Sequence, residues 1–123
     1  MPKDVLVVED DSGYQELLRS LLAPDRVEHC SNIEKVAERW DSIKSFDLII
    51  LDILLLGMSG LELLRRLNEE GLTKKIPVIV ITSVASLEVR QQCVKLGAAG
   101  FFVKPFKNEE FLGVVQSLMG QRS

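Results

Sequence analysis

Residues 46–52 read FDLIILD, a run of aliphatic side chains that ends in a carboxylate. Leucine and isoleucine without polar alternation are typical of a strand that helices cover on both faces. A carboxylate at the end of such a strand is poorly solvated unless the strand ends in a polar crevice. The stretch therefore predicts a buried parallel strand with a functional crevice beside Asp52.

Four other strand-like runs stand on both sides of this one, and each of the five is followed by a segment with apolar residues at helical spacing. The other runs are residues 5–8, 26–30, 76–81 and 100–103, and the second of them is the weakest and is expected at a sheet edge. Ser12 and Ser31 are predicted to cap the first two helices, since Gln15 and Glu34 complete capping boxes. The second helix is expected to reach Trp40.

Alternating strands and helices with short connections predict an α/β fold in which helices cover both faces of a doubly wound parallel sheet. At 123 residues, the chain has the length of one domain, which we expect to span residues 1–123. We expect no second domain after the fifth helix in this chain, which is either a stand-alone protein or part of a longer one.

Composition excludes several classes of function. The net charge is −3, with 46% hydrophobic and 27% charged residues, and no cluster of lysine and arginine supports direct nucleic-acid binding. No apolar run is long enough to span a membrane, and no signal peptide is visible. Cys30 and Cys93 lack metal-binding spacing, so we expect reduced thiols in a cytoplasmic protein. A single histidine, His29, disfavours His-ligated metals and most Ser-His catalysis.

Polar side chains follow four of the five predicted strands, where an open parallel sheet binds its ligands. They are Glu9, Asp10, Asp11, Asp52, Thr82 and Lys104. Carboxylates that crowd together are tolerable around a hard cation, and a ligand set of oxygens favours Mg²⁺ or Mn²⁺. A carboxylate beside such an ion can attack phosphorus, and Thr82 and Lys104 could neutralise the oxygens of the transferred group.

Each residue alone also has a plainer interpretation. The acidic triplet could complement the dipole of the first helix, and Lys104-Pro105 could be an ordinary surface turn. Threonine at the end of a strand is common.

Four blocks together resemble the receiver domains of two-component response regulators, in the order and spacing of that family and over essentially the whole chain. The blocks are residues 5–11 (VLVVEDD), 51–64 (LDILLLGMSGLELL), 77–83 (PVIVITS) and 103–106 (VKPF). The resemblance implies a flavodoxin-like (βα)5 fold with strand order 2-1-3-4-5.

The resemblance also implies a role for each matching residue. Asp52 is the expected phosphoacceptor, Lys104 the phosphoryl-binding lysine, Thr82 the switch hydroxyl and Phe101 the switch aromatic. The expected metal ligands are Glu9, Asp10, Asp52 and the backbone carbonyl of Leu54, while Asp11 is expected to start the first helix. Glu9 departs from the aspartate that many members have.

Such a receiver takes a phosphoryl group from a phosphohistidine on a sensor histidine kinase or a phosphotransfer protein, with Mg²⁺ as cofactor. It is a signalling module that loses the group slowly, not a turnover enzyme. Phosphorylation changes the face built by the fourth helix, fifth strand and fifth helix, which acts on a protein target or an output domain and can support a homodimer. Apolar Leu54 and Val84, two residues after Asp52 and Thr82, are expected to hinder water and lengthen the phosphoryl lifetime.

Three alternatives differ in class. An aspartyl-phosphate phosphatase needs an acid two residues after its nucleophile, and Leu54 cannot serve. A receiver-like module that binds proteins without phosphorylation would be expected to lose an acid or the lysine, and this chain keeps them. A purely structural domain leaves the polar crevice unexplained.

Overall fold

The computed structural model describes residues 2–55, 58–84 and 86–120, and for Met58 and Ser59 it describes the backbone alone. Five parallel strands form its central sheet. They are β1 (Asp4–Val8), β2 (Arg26–Cys30), β3 (Leu48–Asp52), β4 (Val78–Thr82) and β5 (Gly100–Val103). Their order across the sheet is β2-β1-β3-β4-β5, which confirms the predicted topology and the edge position of β2.

Two further strands of two residues each were not predicted. Leu54–Leu55 pairs antiparallel with Met58–Ser59 in a separate hairpin directly after β3. The backbone after Asp52 is therefore folded back on itself.

Five α-helices connect and follow the strands. They are α1 (Ser12–Leu22), α2 (Ile33–Glu38), α3 (Gly60–Glu69), α4 (Leu87–Lys95) and α5 (Asn108–Gly120). Short 3₁₀ helices at Trp40–Ser45 and Leu72–Lys74 complete the helical structure among the described residues. None of the helices in that part of the chain has the length and apolarity required to cross a bilayer.

The helix starts depart from the capping-box predictions by one residue. Asp11, and not Ser12, caps α1, because its carboxylate accepts the Tyr14 N–H at 3.1 Å. Asn32 likewise replaces Ser31 as the cap of α2, since its side-chain oxygen accepts the Lys35 N–H at 2.9 Å. Aspartate, asparagine and serine are all favourable N-cap residues, so the sequence offers two adjacent good caps at the start of each helix.

The sheet is buried on both faces. One apolar cluster lies between the sheet and α2, α3 and α4, and the other lies between the sheet and α1 and α5. Every side chain of β3 and β4 is buried, as the unbroken aliphatic runs predicted. Cys30 and Cys93 are buried free thiols.

This architecture determines where a ligand can bind. The chain leaves β1 toward β2 on one side and reaches β3 on the other, so the strand order reverses between β1 and β3. The carboxyl ends of these two strands flank the crevice that open parallel sheets use for binding. Glu9 follows β1 and Asp52 is the last residue of β3.

Candidate functional site

Three carboxylates converge at the carboxyl edge of the sheet. Glu9, Asp10 and Asp52 each offer one oxygen, and these oxygens lie within 4.8 Å of one another. Glu9 is fully buried and Asp52 is only 4% exposed. Burial of this much negative charge is unfavourable unless positive charge accompanies it.

Lys104 supplies part of that positive charge. Its ammonium donates a hydrogen bond to Asp52 Oδ2 at 2.7 Å and another to Glu9 Oε1. The backbone N–H of Lys104 donates to the carbonyl of Thr82 at 2.7 Å, which ties the residue to the end of β4. The side chain is 12% exposed, so an ordinary surface turn does not describe Lys104.

The backbone after β3 holds the other oxygen of Asp52. Its Oδ1 accepts the N–H of Leu54 at 2.8 Å, and the N–H of Gly60 donates to the carbonyl of Ile53 at 2.8 Å. A Cβ at Gly60 would lie 2.5 Å from the Asp52 carbonyl oxygen and 2.6 Å from the Ile53 Cα. Only glycine lets the start of α3 approach β3 this closely.

Burial and neighbouring charge shift the protonation of the site. Desolvation, reinforced by the hydrogen bond and the charge of Asp52, raises the pKa of Glu9 to about 7 despite the opposing effect of Lys104. Desolvation lowers the pKa of Lys104, but the hydrogen bonds and charges of Asp52 and Glu9 outweigh it and the net direction is upward. Lys104 therefore remains an ammonium.

One oxygen of Glu9 has no partner among the described residues. Glu9 Oε2 is buried and makes no hydrogen bond, an arrangement that normally costs about 1–3 kcal/mol. A cation beside this oxygen would satisfy it, and a set of carboxylate oxygens without nitrogen or sulfur suits Mg²⁺ or Mn²⁺. The residues present thus fit a divalent metal.

The other residues predicted for the site occupy different positions. Thr82 is fully buried, and its Oγ1 accepts the Val84 N–H at 3.1 Å. Leu54 is 49% exposed at the mouth of the crevice, and its backbone pairs with Ser59. Phe101 packs against the apolar cluster on the α4 side of the sheet, and the guanidinium of Arg90 lies 5.9 Å from its ring centroid.

Two residues at the site were missed from the sequence. The Nζ atom of Lys104 lies 4.3 Å from the ring centroid of Tyr14, and Gln15 Nε2 donates to the carbonyl of Glu9 at 2.5 Å. Tyr14 stands at helical spacing from Leu18 and Leu22, a pattern that predicts only a packed face of α1. Its place in the first turn after the acidic residues was the only sequence feature that could have indicated the contact.

Comparisons with known proteins agree with this geometry. The family model described as "Response regulator receiver domain" matches residues 5–116. The phosphate regulon transcriptional regulatory protein PhoB of Escherichia coli is 29% identical over an alignment of 125 positions, which covers 97% of this chain and 52% of PhoB. This chain thus spans about half the length of the curated relatives it matches.

Solved structures share the fold. Chemotaxis protein CheY4 of Vibrio cholerae aligns with a TM-score of 0.81 at 28% identity, covering 96% of this chain and 99% of CheY4. The receiver domain of sensor histidine kinase PA1611 from Pseudomonas aeruginosa aligns with a TM-score of 0.82 at 23% identity, covering 98% and 99% of the two chains. That second structure has a magnesium ion coordinated in its active site cleft.

Proposed function

Because this chain belongs to the response regulator receiver domain family, we propose that Asp52 accepts a phosphoryl group from a phosphohistidine in a Mg²⁺-dependent reaction. The donor is a sensor histidine kinase or a phosphotransfer protein. The family is one of signalling modules in two-component systems, so the chain acts by being modified and not by turning over an external substrate.

One observation carries the proposal. At the strand-order reversal, oxygens of three carboxylates lie within 4.8 Å of one another, and the Lys104 ammonium donates hydrogen bonds to two of them, Glu9 and Asp52. The least accessible acid, Glu9, has an unsatisfied oxygen. A purely structural role would leave unexplained why two buried carboxylates, Glu9 and Asp52, lie beside two partly buried charged groups, Asp10 and Lys104.

The chemistry needs a nucleophile and a neutralised phosphoryl group. A carboxylate oxygen of Asp52 forms a bond to phosphorus while the phosphorus–nitrogen bond of the donor breaks. The electron pair goes to the imidazole nitrogen, which takes a proton from solvent. Lys104 and the hydroxyl of Thr82 offer positive charge and a hydrogen-bond donor to the phosphoryl oxygens.

Glu9, Asp10, Asp52 and the backbone carbonyl of Leu54 would hold the metal. When bound, Mg²⁺ would neutralise charge on the phosphoryl oxygens and reduce the electrostatic repulsion among the crowded carboxylates. The magnesium in the cleft of the Pseudomonas aeruginosa receiver supports the choice of ion.

The output is a change in the face formed by α4, β5 and α5. Phe101 and Thr82 are its proposed switch residues. Leu87, Val94 and Val103 are exposed apolar side chains on α4 and β5, at 68%, 59% and 37%. Such a surface suits a protein target, an output domain or a second copy of the chain. The cytoplasmic location remains a prediction.

The proposal is tested by incubating the chain with Mg²⁺ and acetyl phosphate and measuring its intact mass. We expect the mass of one phosphoryl group to be added, and we expect Asp52→Asn and chelation by EDTA to abolish it. Asp11→Asn is the matched control, because Asp11 caps α1 and asparagine caps equally well. An unlabelled native chain would instead favour a receiver-like module that works without phosphorylation.

A further inference from the structure

The ammonium of Lys104 is enclosed on two sides. Its hydrogen bonds to Glu9 and Asp52 point into the crevice, and the face of the Tyr14 ring lies 4.3 Å away. This distance is within the range of about 6 Å at which a cation is attracted by an aromatic ring. Tyr14 is the only tyrosine of the chain.

The ring of Tyr14 is itself held in place. It contacts the ring of Phe106, with the centroids 6.0 Å apart, and Phe106 stacks on Phe111 at 4.9 Å. Phe111 is fully buried in α5. The main-chain N–H of Tyr14 is fixed by the capping carboxylate of Asp11. The aromatic contacts through Phe106 and Phe111 therefore fix the ring against the core, and the capped start of α1 fixes its backbone beside the acidic residues.

The hydrogen bonds from Lys104 to Glu9 and Asp52 must change when metal binds to these carboxylates. The proposed metal uses the same carboxylates, so it competes with the ammonium for Glu9 and Asp52. A lysine has a flexible stem and a strongly hydrated head, and an ammonium that loses its partners moves into water. An aromatic face attracts the ammonium without competing for the metal or for phosphoryl oxygens.

We propose that Tyr14 is a positioning residue that keeps the Lys104 ammonium in the crevice when the carboxylates are engaged by metal. The role rests on the proposed function of Asp52 and deepens it. Tyr14 acts through Lys104, because its ring contacts the ammonium and it contributes no ligand to the acidic cluster.

The first test is the rate of Asp52 phosphorylation by acetyl phosphate at saturating Mg²⁺. Tyr14→Leu keeps an apolar side chain but removes the ring, and we expect the rate to fall by about three- to tenfold. Tyr14→Phe retains the ring and should restore the rate to within about twofold. Leu21→Val, a half-buried change two turns later on α1, is the control for altered packing and should match the native chain.

A double-mutant cycle separates positioning from packing. In a Lys104→Met background, Tyr14→Leu should have no further effect on the rate, because the ring then has no ammonium to hold. An equal effect in both backgrounds would mean that Tyr14 only packs, and would overturn the proposal.

A second readout does not depend on phosphorylation. In proton NMR, the ε-methylene resonances of Lys104 should be shifted upfield by the Tyr14 ring, in native and Tyr14→Phe chains and not in Tyr14→Leu. The shift should persist when Mg²⁺ is titrated to saturation. Loss of the shift on adding Mg²⁺ would overturn the role of Tyr14 alone, whereas a native chain that is never phosphorylated would overturn the function of Asp52 together with it.

Discussion

Asp52 is an acidic residue that is almost completely buried. The side chain is 4% exposed, yet both of its oxygens have partners, the ammonium of Lys104 and the N–H of Leu54. Its position at the end of β3 was evident from residues 46–52, because a carboxylate that ends a buried strand needs a polar crevice. The ammonium partner followed from topology, since β4 lies between β3 and β5 and all three end at the same edge.

Tyr14 shows what a local pattern cannot supply. Its spacing from Leu18 and Leu22 is that of a core face, and both leucines are indeed buried. Tyr14 lies at the open end of the same face, where the end of β5 brings Lys104 against it. A contact between residues ninety positions apart depends on the assembled sheet and not on the period of the helix.

The apolar residues beside the site lead to a prediction about phosphoryl lifetime. Leu54 and Val84 offer no side-chain group to orient an attacking water, so Leu54→Asn combined with Val84→Glu should speed loss of the phosphoryl group by about tenfold, or about 1.4 kcal/mol in barrier height. The decay of the labelled chain after removal of acetyl phosphate measures it. Ala37→Gln, an exposed change on α2, should leave the decay unchanged. An unaltered lifetime in the double variant would show that these residues do not exclude water.

At the scale of elements, the junction between β3 and α3 determines the geometry of the crevice. Gly60 begins α3 directly against the backbone of Asp52 and Ile53, and the hairpin formed by Leu54–Leu55 and Met58–Ser59 fills the turn between them. The hairpin was not predicted, because a pair of two-residue strands has no periodicity that a sequence can reveal.

Gly60→Ala should therefore be destabilising. The new Cβ would meet backbone atoms at 2.5 Å and 2.6 Å, which cannot rotate away, so we expect a loss of about 1–3 kcal/mol in the free energy of unfolding. Urea unfolding of the metal-free chain measures it. The same change at Gly113 in α5, where a Cβ meets nothing within 4 Å, should instead stabilise the chain by about 0.5–1 kcal/mol. Equal stability of the two variants would contradict the close approach at Gly60.

The second helix shows a different limit of the sequence. The apolar spacing of Val36, Ala37 and Trp40 predicted one helix through Trp40, but α2 ends at Glu38 and the chain tightens into a 3₁₀ helix at Trp40. The Nε1–H of Trp40 donates to Glu70 at 3.1 Å, and the guanidinium of Arg66 lies 3.9 Å from its ring centroid. The helix thus ends where Trp40 contacts α3 and the residue that follows α3. Such tertiary contacts cannot be predicted from the local spacing of apolar residues.

At the scale of the molecule, the two apolar clusters cover both faces of the sheet, and the polar residues lie at its carboxyl edge. The parallel order, the edge position of β2 and the convergence of acids followed from the alternation of strands and helices together with the family resemblance. The residues that carry chemistry occupy strand ends, where topology alone brings them together.

The most direct test of the account identifies the modified residue itself. The chain is labelled with acetyl phosphate and Mg²⁺, treated with borohydride, which reduces an aspartyl phosphate to homoserine, and digested for tandem mass spectrometry. The account predicts homoserine at position 52 and aspartate unchanged at positions 10 and 11. Homoserine at another position, or none in a labelled chain, would contradict the assignment of Asp52 as the phosphoacceptor.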